Sequence, residues 1–202
     1  MDISFTVQML SRFVQSPTTQ HLTAAKHLLR YLKGTKDYRM VFKSSDDPIN
    51  LNIYTDADWA SDRSDRKSVT GMLVQLCGNS VAWSSHKQKT VSLSSTESEY
   101  MALSAACQKA LWCKTWLDEV IGTGTPITIY SDNQSAAALT RSNSYHPRTK
   151  HIDVRHHFIK DLVRNNIIQL EYISTEDQLA DILTKVMNKA TLVSLRDRLL
   201  TH

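Results

Sequence analysis

Two textures divide this chain and limit what it can fold into. Between Tyr38 and Ser85, β-branched and aromatic residues gather in short runs, Tyr38–Lys43, Asn50–Thr55, Thr70–Cys77 and Ser80–Ser85, that read as strands. Asp46-Asp47-Pro48 and Gly78-Asn79 supply turns between them. Beyond Ser95 the pattern alternates. A long helix from about Ser95 to Ile121 stops at Gly122 and Gly124, and a strand Ile127–Ser131 and helices Asn133–Arg141 and Ile152–Asn165 follow. A strand Ile167–Ile173 and helices near Glu176–Val186 and Ala190–Leu200 close the chain. A meander followed by alternation predicts an α/β protein, a mixed sheet covered by helices.

Upstream, residues 4–15 and 18–33 read as two helices parted by Ser16-Pro17, where proline suits a helix start. In the second, Leu22, Ala25, Leu28 or Leu29, and Leu32 recur at helical spacing, and Gly34 terminates the run. A helical appendage over 1–37 therefore precedes a domain over 38–202. With 41% hydrophobic residues in 202, and only 5 glycines and 4 prolines, the chain has the material for a core and is not low-complexity. Cys77, Cys107 and Cys113 form no CxxC pair, which gives no support for a disulfide framework or a cysteine zinc site and points to a reducing setting. No run is apolar enough to span a bilayer and no secretory leader is visible, so an intracellular location is expected. The net charge of +4 and pI near 8.9 fit a polyanionic partner, a property many soluble proteins share.

On this net-basic chain four acids call for explanation. Asp56 stands within the strand-like run Ile53-Tyr54-Thr55-Asp56, where aspartate is disfavoured unless the strand ends at Thr55 and a turn begins. In the long helix, the steps four, seven and eleven beyond Glu99 reach Leu103, Ala106 and Ala110, an apolar stripe. The same steps from Glu97 reach Met101, Ser104 and Gln108. Glu97 is thus a first-turn acid beside a Ser94 or Ser95 cap, and Glu99 is the one turned inward, where it needs a partner or a metal. Asp132 ends the apolar run Thr128–Ser131 at a helix start, where it is either a cap or a site residue. Asp181 lies on a late helix, where a lone acid ordinarily faces solvent. Their order, strand, long helix, strand end, late helix, is the unusual feature.

At this point the residues match a family. Tyr54-Thr55-Asp56-Ala57-Asp58-Trp59-Ala60, Ser68-Val69-Thr70-Gly71 and Ser94-Ser95-Thr96-Glu97-Ser98-Glu99-Tyr100 resemble signature segments of the ribonuclease H of Ty1/copia-type retrotransposon polyproteins. So do Ser131-Asp132-Asn133, Thr149-Lys150-His151-Ile152-Asp153-Val154-Arg155 and Gln178-Leu179-Ala180-Asp181-Ile182-Leu183-Thr184-Lys185. Leu10-Ser11-Arg12-Phe13, Ala24-Ala25-Lys26 and Arg30-Tyr31-Leu32-Lys33-Gly34-Thr35 are similar to the end of the adjoining reverse transcriptase. The resemblance implies a ribonuclease H-like fold with a five-stranded sheet, and it makes 1–37 a remnant of the polymerase. It implies Asp56, Glu99, Asp132 and Asp181 as catalytic acids that ligate two Mg²⁺ or Mn²⁺ ions, with an RNA–DNA hybrid as substrate and the reverse transcriptase as partner. Asn133 and Gln134 fall at substrate-binding positions, Gln134 toward the minor groove. The expected location is a cytoplasmic virus-like particle or the nucleus. One departure stands out: Ser174-Thr175-Glu176 replaces a histidine-bearing loop, leaving His86, His151, His156 and His157 as candidates to take its place.

The implied chemistry suits these residue types. Two Mg²⁺ ions activate a water and steady the leaving oxygen, and Mg²⁺ prefers oxygen ligands. Crowded carboxylates raise one another's pKa, so the site should be loosened or partly protonated without metal. Arg63, Arg66, Lys67, Lys87 and Lys89 are candidates for phosphate contacts, against the ordinary role of solvated surface charge. Trp59 and Trp83 are expected in the core, with packing against sugars as the functional alternative. A Ser–His–Asp triad is disfavoured by the absence of a GxSxG elbow. The serious rival is a recruited retroelement fragment acting without catalysis as a nucleic-acid- or protein-binding, effector-like protein.

Overall fold

The structure, a computed structural model, describes residues 1–44, 46, 48–62, 64–122, 124–134 and 150–202, with the backbone alone for 150–153. Helices α1 (Ser4–Ser11) and α2 (Thr19–Gly34) precede strands β1 (Leu51–Asp58), β2 (Val69–Leu76) and β3 (Asn79–Lys87). Then come α3 (Ser95–Val120), β4 (Ile127–Ser131), α4 (Lys150–Arg164), β5 (Ile168–Tyr172), a 3₁₀ helix (Leu179–Leu183) and α5 (Lys189–Leu199). The five strands form one sheet in the order β3-β2-β1-β4-β5, antiparallel across β1–β3 and parallel from β1 through β4 to β5. This is the mixed, helix-covered sheet expected.

Both faces are buried, because strand side chains alternate. On one face Ile53, Val74, Ile129 and Ile168 meet Leu103, Ala106, Cys107 and Ala110 of α3 and Ile159 and Leu162 of α4. On the other, Leu73 meets Leu179, Ile182 and Leu183 of the 3₁₀ helix, Leu195 and Leu199 of α5, and Met1. Between β2 and β3, Cys77 and Gly78 both take positive φ, 47° and 74°. That is the pair of left-handed residues a tight hairpin of this hand requires.

Several local readings change. Tyr38–Lys43 is not a strand: Arg39 makes one isolated bridge to Thr201, while Val41 and Phe42 stay exposed, so apolar character found no neighbour to pair with. The strand β1 continues through Asp56 to Asp58, so no turn begins at Asp56. No residue of α2 is buried, and Leu22, Leu29 and Leu32 of its apolar stripe are exposed. Thr18 caps α2 by accepting the His21 N–H, and His21 Nδ1 accepts the Thr18 N–H in return. The late helix is a five-residue 3₁₀ turn whose residues are all buried, leaving no solvent face for Asp181. The helix expected over Asn133–Arg141 lies outside the described residues from 135 on.

Candidate metal centre

The register of the parallel strands sets the site. Tyr54 of β1 lies opposite Tyr130 of β4, their rings stacked at 4.9 Å. Two residues on from each come Asp56 and Asp132, which brings both acids to neighbouring positions at the carboxyl end of the parallel pair. Glu99 arrives from α3 just past its first turn, and the helix start is set by Ser94, whose hydroxyl accepts the Glu97 N–H at 3.1 Å. Glu97 Oε2 answers by accepting the Leu93 N–H at 2.7 Å, so Glu97 is spent on the cap, as its first-turn role requires. It is nonetheless buried, whereas the helical stripes placed it on a more polar face; the backbone N–H satisfies it there. Glu99 turns to the sheet, where Oε1 accepts the Ala57 N–H at 3.3 Å. Ligand atoms of Asp56, Glu99 and Asp132 lie within 4.8 Å of one another.

The fourth acid comes from the 3₁₀ helix. Gln178, fully buried, donates from Nε2 to Thr55 O at 3.1 Å and accepts the Ala180 N–H at Oε1, pinning this turn to β1. Close approach needs Gly71, which pairs with Asp56 in the β1–β2 register. A Cβ there would stand 2.5 Å from Thr184 Cγ2 and 2.7 Å from Ala180 O. The result places Asp181, 4% exposed, beside Asp56, and lets Thr184 Oγ1 donate to Asp56 Oδ2 at 2.6 Å.

The electrostatics follow from crowding. Burial first, then the charges of Asp56 and Asp132, push the Glu99 carboxyl well above the usual carboxylate range. Burial and Asp56 likewise raise Asp181, against the opposing pull of Lys185, whose Nζ lies 2.8 Å from Asp181 Oδ2. Burial also raises Asp58 at the strand's end. Glu99 Oε2 and Asp181 Oδ1 are buried with no hydrogen-bond partner. A buried carboxylate oxygen without a donor is costly, and either a proton or a divalent cation removes the cost. Hard oxygen donors gathered from separate elements are compatible with a divalent metal ion.

Residues not singled out beforehand complete the site. Thr184 and Lys185 hold Asp56 and Asp181, and Thr175 Oγ1 donates to Asp132 Oδ2 at 2.9 Å from the short segment between β5 and the 3₁₀ helix. Thr184 and Lys185 lay inside a quoted motif; Thr175 carried no sequence signal. Of the histidines, His86 is exposed on β3, His156 sits 6.5 Å from the Tyr100 ring with His157 against it, and the His151 side chain is not described.

The substrate candidates divide. Gln134 is exposed and Asn133 half-buried just past Asp132, with the Asn133 N–H donated to Ser131 Oγ. Lys89 is exposed. Lys87 is held by Asp62 and Asp65, and Lys67 pairs with Asp65 at 3.6 Å. Arg63 lies outside the described residues. Trp59 and Trp83 are not core residues: they are 47% and 38% exposed, because β1 ends before Trp59 and Trp83 faces outward from edge strand β3. Trp59 Nε1 donates to Ser92 O at 3.2 Å, which fixes its ring between the loops that follow Asp56 and precede Glu99.

No protein-family model matches the chain. Over 186 residues, 92% of the chain, it is 43% identical to the retrovirus-related Pol polyprotein from transposon TNT 1-94 of Nicotiana tabacum, spanning 14% of that relative. A second relative, secreted RxLR effector protein 161 of Plasmopara viticola, is 47% identical over 111 residues, 55% of this chain and 78% of that protein. Among solved structures, LC11-RNase H1 in complex with an RNA/DNA hybrid superposes with a TM-score of 0.51 at 16% identity, covering 67% of this chain and 94% of that one. That likeness shows the fold. The chain belongs to the retrovirus-related Pol polyproteins of copia-type transposons, and the portion it spans has the ribonuclease H-like fold.

Proposed function

We propose that this chain cuts the RNA strand of RNA–DNA hybrids by metal-assisted phosphodiester hydrolysis, as the nuclease portion of a transposon polyprotein. The observation that carries this reading is the convergence of Asp56, Glu99 and Asp132, with Asp181 beside Asp56, and two buried carboxylate oxygens left unpartnered. Asp56, Glu99 and Asp132 would hold one divalent ion, and Asp56 with Asp181 a second. When bound, the ions supply an activated water and a stabilised leaving oxygen. The chain's own groups set the ligands: Thr184 orients Asp56, the Ala57 N–H orients Glu99, and Thr175 orients Asp132.

Around the acids, Trp59 offers a fixed, exposed aromatic face for a sugar, and Gln134 and Asn133 stand beside Asp132 for the minor groove, where 2′-hydroxyls mark the RNA strand. Lys89, Lys67, Lys87 and Arg63 are the proposed phosphate contacts, and Lys87 would have to leave Asp62 and Asp65 to serve. Residues 1–37 are read as the end of the reverse transcriptase, and the exposed apolar stripe of α2 supports that reading as a face the polymerase would cover. No helix among the described residues is long and apolar enough to cross a membrane.

The test is a strand-labelled hybrid with Mg²⁺ or Mn²⁺, using the chain and its Asp56→Asn variant. Metal-dependent cutting of the RNA strand alone, absent from the variant, is expected. A folded chain that leaves the hybrid whole, with the polymerase segment restored, contradicts it. One observation favours a second reading, the extent of the match to a secreted effector protein. Protein partners that are captured equally by the Asp56→Asn variant would support that non-catalytic role.

A further inference from the structure

The acid cluster contains a cation of its own. Lys185 follows Asp181 by four residues, and its ammonium lies 2.8 Å from Asp181 Oδ2. Its side chain is 37% exposed, so the charge sits at the site's rim and still acts on Asp56 and Asp132 as well as on Asp181. Once ionised, four carboxylates with one ammonium leave the cluster net negative. Two divalent ions would balance the carboxylates by themselves, and Asp181 Oδ2, the oxygen Lys185 now holds, belongs to one of their ligands.

Lys185 also has somewhere to go. It lines a cavity of about 320 Å³ between the N-terminal helices and the 3₁₀ helix, walled by Ile3, Phe5, Leu28 and Val186, with Asp2 among its polar groups. The apolar walls suit the four-carbon stem of a lysine, and its head would join Tyr31 Oη and the Met1 ammonium, which lie 2.5 and 3.6 Å from the Asp2 carboxylate.

We propose that Lys185 is a positioning residue that stands in for the second metal ion, holding Asp181 in place without metal and vacating it for the cavity when divalent ions arrive. This rests on reading the acids as a metal centre. The lysine then serves two ends: it lowers the repulsion that would splay the empty cluster, and it competes with the ion that displaces it.

The test is calorimetric titration of the full chain with Mg²⁺, repeated for Lys185→Met, which keeps the stem, and Lys185→Arg, which keeps the charge. Lys185→Met is expected to take the weaker ion about tenfold more tightly, the scale of removing one competing charge at a half-exposed site. Lys185→Arg is expected to take it no more tightly than the natural chain. Without metal, Lys185→Met should melt at lower temperature, and saturating Mg²⁺ should close the gap. Equal Mg²⁺ affinity in the natural chain and Lys185→Met, or a melting deficit that Mg²⁺ does not remove, overturns the proposal while leaving the metal centre standing. No Mg²⁺ uptake by any of the three proteins overturns both.

Discussion

Two clusters of carboxylates lie on this molecule, and they are built on opposite terms. At Asp62, Oδ2 accepts from Arg12 Nη1 at 2.7 Å and from Lys87, while Oδ1 accepts the Ser64 N–H at 2.8 Å and its hydroxyl at 2.6 Å. Lys87 reaches Asp65 as well, at 2.9 Å. Although burial works against it, Lys87 and Ser64 hold the Asp62 carboxyl far below the usual range. At the other cluster Asp56, Glu99 and Asp132 crowd together with Asp181 beside Asp56, the ion pair among the described residues is that of Asp181 with Lys185, and two buried oxygens have no hydrogen-bond partner. In the first cluster the carboxylates of Asp62 and Asp65 have their donors within the chain, and the cluster ties α1 to the sheet's edge. In the second they do not, and the proposed function supplies the missing partners as divalent cations. Carboxylate count alone does not separate structure from function; the balance of donors does.

Breaking the second cluster should have the largest effect. Asp56→Asn or Glu99→Gln is expected to reduce hybrid cutting on the order of a thousandfold, since the loss of a metal ligand removes several kcal/mol of transition-state stabilisation. Asp62→Asn should leave cutting within a fewfold of the natural chain, and steady-state assays on all three variants decide it. Next comes Gly71→Ala, which forces a methyl onto Thr184 and the Ala180 carbonyl. It should cost about 1–3 kcal/mol in chemical denaturation and weaken Mg²⁺ uptake as the 3₁₀ helix is pushed from β2.

The two clusters should also differ in the sign of their pH dependence. Without metal, the raised Glu99 and Asp181 keep protons in the folded chain that the unfolded chain releases above about pH 4. The folded state binds more protons there, so stability falls as pH rises from about 4 toward the raised folded values. Mg²⁺ should flatten that fall, and Glu99→Gln should shrink it. Asp62 acts in reverse: its contribution is complete above about pH 4 and is lost as pH drops through its depressed folded value. Melting curves across pH with EDTA or Mg²⁺ separate the two limbs. The smallest effect is expected from Thr175→Ala, about threefold in turnover, because water can replace a hydroxyl donor at an exposed edge.

Much of this was legible in the residues. The inward turn of Glu99 followed from its place above Leu103, Ala106 and Ala110, three residues that the fold buries. The mixed sheet followed from the change of texture near Ser95. Asp181 was harder, since a lone acid on a late helix ordinarily faces solvent and only the contact with β2 at Gly71 shows why it is buried. Tyr38–Lys43 has strand composition and no strand to pair with, because pairing depends on distant chain. The stripe on α2 is a correct helical pattern, yet Leu22, Leu29 and Leu32 on it stay exposed. Thr175 and Lys185 are ordinary in sequence and matter through the acids they touch. Lys87 shows the converse, a basic residue near the site whose charge is already bound.

Anomalous diffraction from crystals of the chain soaked in Mn²⁺ separates a cluster that takes divalent ions from one whose carboxylates are already paired within the chain. Two manganese peaks ligated by Asp56, Glu99, Asp132 and Asp181, with none at Asp62 and Asp65, is the predicted result. A metal-saturated crystal with no peak among those four acids would contradict it.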